Sequence, residues 1–196
     1  MSEFIGRQID FALAVEGTRG TAEATAERAV RKVTCNLIPK SERVTDDTTF
    51  GRLEDAERVR TVRKWSEGDV EGIVHVDVIG YYFYNIYGDV VSSADGSAYK
   101  HEFSLDQTIL HPTLTFFVKD ADVRQEKMAG GMLTSLEINA TTDDYVRYNA
   151  SIIAKEGVAD TSTLPDLDEE FDFVSRDISV KIASTEAGLT SATAIS

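Results

Sequence analysis

The chain has 196 residues, 42% of them hydrophobic, with a formal net charge of −14 and a pI near 4.6. Such a length and apolar content suit one domain with its own core, and such acidity excludes a general affinity for nucleic acid or anionic membranes. A single cysteine, Cys35, excludes an internal disulfide, no apolar run reaches the roughly 20 residues that span a bilayer, and the start MSEFIGRQID lacks the pattern of a secretory signal.

The first element is a strand in QIDFALAVEG, where Ile9, Phe11, Leu13 and Val15 share one face at a period of two. Gly17 and Gly20 punctuate a turn. AEATAERAV has helix-forming composition and reads as one helical turn or an extended arm, so residues 1–30 form an N-terminal strand and arm. RKVTCNLIPK alternates again, Val33, Cys35 and Leu37 against Lys32, Thr34 and Asn36, until Pro39 ends the ladder.

From residue 41 to 67 alternation is lost in a charged, turn-rich stretch. A loop this long in a compact domain is functional or gripped by a partner. EGIVHVDV then opens as a strand. The spacing changes to helical over Ile79, Tyr82, Phe83 and Ile86, with Gly88 as the stop. One amphipathic helix beside many strands covers a sheet, so these four residues are expected to pack in the core. Strands follow in PTLTFFVKD, with Leu114, Phe116 and Val118 together. LTSLEINATT sets Leu136 and Ile138 against Ser135, Glu137 and Asn139. DYVRYNASIIA groups Val146, Tyr148, Ala150 and Ile152, and ISVKIAS groups Ile178, Val180 and Ile182. Residues 155–170 read as an acidic linker before the last strand. The fold class is mainly β, a sandwich or barrel of two packed antiparallel sheets with one flanking helix and a long charged loop.

No chemistry-bearing constellation emerges. His75, His101 and His111 have no zinc spacing with one another or with Cys35. Nucleophile-elbow, Walker and dinucleotide loops are absent from the sequence. DLDEEFDFVSRD places Phe171 and Asp177 where a calcium loop needs Gly and Glu. No catalytic residue, metal or cofactor is therefore expected. RVRTVRKW is the one basic run, and acids flank it on both sides. It reads as a salt-bridged contact with an acidic partner surface rather than a nucleic-acid site.

The order of landmarks resembles the major tail tube protein of long-tailed bacterial and archaeal viruses. The pieces are FALAVEGTRGTA, VTCNLIPKSE, a loop with DDTTFGRLED, and EGDVEGIVHVDVIGYYFYNIYG running from strand into aromatic helix. HEFSL, HPTLTFFV, GGMLTSLEINAT, YVRYNASIIAKEG and FDFVSRDISVKIAS follow. The resemblance implies a structural virion protein that forms rings, usually hexameric. Their inner sheets join into one barrel, and the rings stack into a conduit for the genome. Partners would be further copies of the chain, the tape measure, terminator and baseplate or tip proteins. DNA would pass without specific binding. Residues 41–67 become the inter-ring or inter-subunit element, with Asp46, Asp47, Gly51, Arg52, Glu54, Asp55, Arg58, Arg60, Arg63 and Lys64 as candidate contacts. Ser135, Glu137, Asn139 and Thr141 become candidates for the lumen wall, although alternation alone leaves lumen and outer wall open. The acidity suits either a DNA-repelling lumen or a salt-rich host cytoplasm. The alternatives are another β-rich tail part, such as a terminator or head–tail connector, or a β-sandwich ligand-binding module.

Overall fold

The computed structural model describes residues 9–46, 58–96, 98–121, 123–167, 172–185, 188 and 191–195. In chain order the strands are β1 Ile9–Val15, β2 Arg28–Ala29, β3 Thr34–Cys35, β4 Ile38–Asp46 and β5 Arg58–Ile73. The helix α1 Val76–Tyr87 comes next. Then follow β6 Gly88–Asp95, β7 Ala98–Leu105, β8 Leu114–Asp120, β9 Arg124–Asn139, β10 Arg147–Ala154, β11 Val158–Ala159, β12 Val180–Lys181 and β13 Ala194–Ile195. The protein is mainly β, as its alternation requires.

One antiparallel sheet carries the fold, in the order β2-β1-β8-β9-β10-β5-β3, with β4 also on β5 and β11 on β9. Its two halves share β9. Residues Arg124 to Gly131 of that strand pair with β8, and Met132 to Asn139 pair with β10. Register shifts interrupt β9 opposite Leu114/Phe116 and opposite Ser151/Ile152. Such bulges bend and twist a strand, and here they turn β9 from one half-sheet into the other. Gly130 has a φ of +64°, and a Cβ on Gly131 would lie 2.3 Å from the Phe116 ring. Glycines at both positions let the bend close.

A buried carboxylate fastens the bend. Glu16 accepts hydrogen bonds from the Gly20 amide at 2.6 Å, the Gly130 amide at 2.6 Å, the Thr115 hydroxyl at 3.0 Å, and the Thr113 hydroxyl. The end of β1, the turn after it and the β9 bulge therefore meet on one side chain.

The core lies between the half-sheets. Phe11, Leu13, Leu114, Phe116, Val118 and Met128 come from one side, and Val70, Tyr148, Ala150 and Ile152 from the other. All but Met128 and Val70 are alternating positions read from β1, β8 and β10. The Phe11 and Phe116 rings stack at 5.6 Å. β8 is buried on both faces, because Phe117 packs with Ala12 and Ala14 under Ala26 and Leu164. Residues 155–167 are thus more than a linker. They supply β11, and Leu164 then lies on the outer face of the first half-sheet.

The helix covers the core, but its buried stripe is rotated from the expected one. Val78, Tyr82 and Asn85 are the buried residues of α1. Tyr82 packs edge-on against Tyr148 at 5.4 Å. Burial pushes both phenols far above their ordinary pKa, so both stay neutral. Ile79 only flanks the core cluster. Phe83 is half-buried against Phe103, and Ile86 is half-buried beside a surface groove. The stripe rotates because a polar residue, Asn85, is buried with its amide satisfied. Gly88 ends the helix at φ +90° as expected.

Three further expectations are corrected. The stretch 41–67 is not an irregular loop over its ends, since β4 and β5 pair from Ile38↔Glu67 to Asp46↔Arg58 as a long hairpin. Ile138, read as core, is 43% exposed. The ISVKIAS residues Ile178 and Ile182 are also exposed, because among the described residues β12 pairs only with β13, outside the main sheet. A β6–β7 ribbon follows the helix where no strand pair was read.

Candidate assembly surface

The half-sheet β5-β10-β9, edged by β3 and the base of β4, has one face in the core and one face outside it, and beyond Pro39 the strands β4 and β5 run on as a ribbon. Alternation decides which side chains go where. On β5, Val70 and Ser66 point inward and Glu67, Asp69 and Glu71 point outward. On β10, Tyr148, Ala150 and Ile152 point inward and Asn149, Ser151 and Ile153 outward. Pairing places Ser135 opposite Ser151, Glu137 opposite Asn149 and Asn139 opposite Arg147, so these β9 residues share the outward face. Thr141 lies beyond the end of β9, exposed in the following turn, and is not part of that ladder.

The face is knitted by side-chain hydrogen bonds. Ser151 donates to Asp69 at 2.7 Å, and Thr34 donates to Glu71 at 3.3 Å. The Trp65 indole donates to Glu67 at 2.9 Å, and Lys40 lies 3.3 Å from the same carboxylate. The indole, followed by Lys40, holds the Glu67 carboxyl below its ordinary pKa. Four carboxylates, Glu67, Asp69, Glu71 and Glu137, therefore stand on one wall among hydroxyls and amides, with Lys40 and Arg147 as its cations.

Both long edges of this half-sheet are open among the described residues. β4 pairs only with β5, and the distal part of β9 pairs only with β10. At the point where β8 leaves β9, Asn85 stands in for a strand. Its amide donates to Pro112 O at 2.9 Å and Gly131 O at 3.2 Å, and it accepts from Leu133 N at 2.8 Å. Beyond it, a groove of about 360 Å³ runs between Phe83, Ile86 and Tyr87 of the helix and Leu133, Leu136 and Ile138 of β9. The helix overhangs the open edge and extends the core past the last strand.

The hairpin residues expected to make contacts are spread along both arms. Asp46 closes β4, and Arg58, Arg60, Arg63 and Lys64 lie in β5. Lys64 bonds Glu156 at 2.7 Å, and the Arg63 guanidinium lies 5.0 Å from the Trp65 ring centre. Asp47, Gly51, Arg52, Glu54 and Asp55 lie outside the described residues. Cys35 is partly buried, and burial pushes its thiol above the ordinary pKa, which suits an inert side chain. No group of His, Cys, Asp and Glu suited to a metal occurs among the described residues. No helix among them is long and apolar enough to cross a membrane.

The family model for phage tail tube proteins matches residues 6–194. The chain belongs to the phage tail tube protein family. A search of the curated proteins returned no match. Membership makes this tail tube protein a structural component of the virion tail, built to assemble with itself and with other tail proteins. The sequence reading missed half of its polar wall. Asp69, Glu71, Asn149 and Ser151 were absent from the expected set, although EGDVEG carried the signal. There Glu67, Asp69 and Glu71 alternate with Gly68, Val70 and Gly72. A Cβ on Gly68 would lie 2.2 Å from Asn36 O, and one on Gly72 2.4 Å from Arg31 O. Asn85 was also missed, because a polar residue on an apolar helix face gives no hydrophobic signal.

Proposed function

We propose that the tail tube protein closes into rings by joining the open β4 edge of one copy to the open β9 edge of the next. The rings then stack into the conduit through which the genome leaves the virion. The carrying observation is that one half-sheet combines a buried face, a polar acidic face and two open edges. A sheet left open at both sides protects its edges by assembly, and a heterologous edge-to-edge contact gives a ring when its rotation closes. A strand laid against β9 would also fill the groove under Phe83, Ile86 and Tyr87. The wall of Glu67, Asp69, Glu71 and Glu137 then faces the passage. Repeated around each ring and along the stack, these charges repel phosphate over the whole length. The tape measure, terminator and baseplate or tip proteins are the partners this reading gives the ends and interior of the tube.

Negative-stain microscopy and light scattering of the purified protein test the reading. Rings or tubes are expected as concentration rises. A sharp monomer at all concentrations and salts, or caps that never polymerise, overturns it in favour of a terminator-like part or a binding module.

A further inference from the structure

Two ribbons stand outside the half-sheets. In the first, β5 pairs with β10 only from Ser66 onward, so residues 58–65 have β4 on one side and, among the described residues, no strand on the other. At about 3.3 Å per residue the arms project about 26 Å beyond the body. Two-stranded ribbons are marginal in water unless something covers them, and this one bares Val44 at 53%, Val59 at 59% and Val62 at 60%. On a chain of charge −14, residues 38–46 and 58–64 hold six basic and two acidic side chains. Pairing puts Arg43 with Thr61 and Thr45 with Val59, on a face that contains no acid.

The second ribbon is β6–β7, eight residues in each strand. Residues 88–106 hold four acids and one lysine. Phe103 turns one face toward the helix, meeting Phe83 at 5.6 Å. The register sends Asp89, Val91, Ser93 and Asp95 with Glu102 and Lys100 to the other face, where Val91 is 57% exposed. Among the described residues the two ribbons share no extended interface within one chain. They match in length, oppose in charge, and each bares valine at its centre.

We propose that the projecting β4–β5 ribbon of one copy docks on the outer face of the β6–β7 ribbon of a second copy. Arg43 then lies between the Asp95 and Glu102 carboxylates, which stand about 13 Å apart along the ribbon, within reach of one of them, and Val59 packs by Val91. Arg43 and Asp95 have no ion-pair partner among the described residues of their own chain, while Glu102 is held by Lys100 and would be shared with it. Nucleic acid suits the basic ribbon less well. Its one indole is engaged by Glu67 and covered by Arg63, which removes the stacking platform that single strands need. The inference rests on the self-assembly proposed above and names the surfaces that one contact uses.

A charge swap tests it. One variant carries Arg43→Glu with Thr45→Glu, a second Asp95→Lys with Glu102→Lys, and a third all four changes. All positions are exposed, and far-UV circular dichroism should show the parent fold in each. Each double variant is expected to raise the protein concentration needed for tubes about tenfold, the value of one well-placed intersubunit ion pair. The fourfold variant should return most of the way to the parent. If the parent forms tubes and the Asp95/Glu102 variant assembles like it, or the fourfold variant is no better than the doubles, the docking is wrong while the tube reading stands. If the Arg43/Thr45 variant assembles normally but loses single-stranded DNA, the ribbon is a nucleic-acid surface and the proposal falls. If the parent never assembles, the tube reading itself fails.

Discussion

Asn85→Leu isolates what holds the helix to the sheet. The substitution nearly preserves volume, so little cavity forms. It removes three hydrogen bonds at 2.9, 3.2 and 2.8 Å and leaves the Leu133 N–H and the Pro112 and Gly131 carbonyls without the amide. Asn85 is fully buried, so water cannot readily replace it. A stranded buried group costs about 1–3 kcal/mol, and the N–H is less forgiving than carbonyls with two lone pairs. The gain from burying a leucine in place of an amide, about 1–2 kcal/mol, offsets part of this. The net expectation is a loss of about 2–4 kcal/mol. Urea titration followed by far-UV circular dichroism, at a concentration below assembly, reads it directly. With a slope of about 2 kcal/mol per molar urea, the midpoint should fall by about 1–2 M. Asn85→Asp separates geometry from apolar gain. It keeps the acceptor for Leu133 but aims a carboxylate at two carbonyls. Its folded pKa should therefore lie above its unfolded value, so the variant should be least damaged at low pH and lose stability as pH rises through the folded pKa. A midpoint for Asn85→Leu within error of the parent would refute the idea that this amide caps the end of the β8–β9 ladder.

Glu16→Ala strips the acceptor from two backbone amides and two threonine hydroxyls and should cost about 3–5 kcal/mol in the same titration; a loss under about 1 kcal/mol would mean water replaces the carboxylate. Gly131→Ala drives a methyl to 2.3 Å from the Phe116 ring and 2.6 Å from Leu114 O, so it should lose about 3 kcal/mol or more, or fail to fold solubly. Exposed Glu137→Lys should melt within about 0.5 kcal/mol of the parent. Its tubes should nevertheless hold DNA at low salt, with the log–log salt slope steepened by about 0.9 per phosphate contacted; a tube map with residue 137 on the outer wall would end that expectation.

Strands buried on one face announce themselves in sequence. β1 and β10 were legible because Phe11 and Leu13, or Tyr148, Ala150 and Ile152, recur at the period of the pleat and bury against one core. The order of such pieces was enough to place the family. Ribbons wet on both faces send no such signal. Lys40, Glu42, Val44 and Asp46 pair with β5 through one register shift after Glu42, yet nothing in their hydropathy reports it. The β6–β7 ribbon was missed for the same reason.

Sequence by itself determined the β class, the polar wall of β9 and the helix stop at Gly88. Tertiary structure decided which helix residues face inward, because Asn85 is buried by backbone partners up to 48 positions away. It decided that Phe117 is covered, since Leu164 reaches it from a segment that reads as linker. It also decided that Asp69 and Ser151 join Glu137 on one wall, through pairings between strands distant in the chain. Alternation fixes the two faces of a strand. Only the register between strands fixes which faces are shared, and register is set by bends, bulges and buried polar contacts that no local window contains.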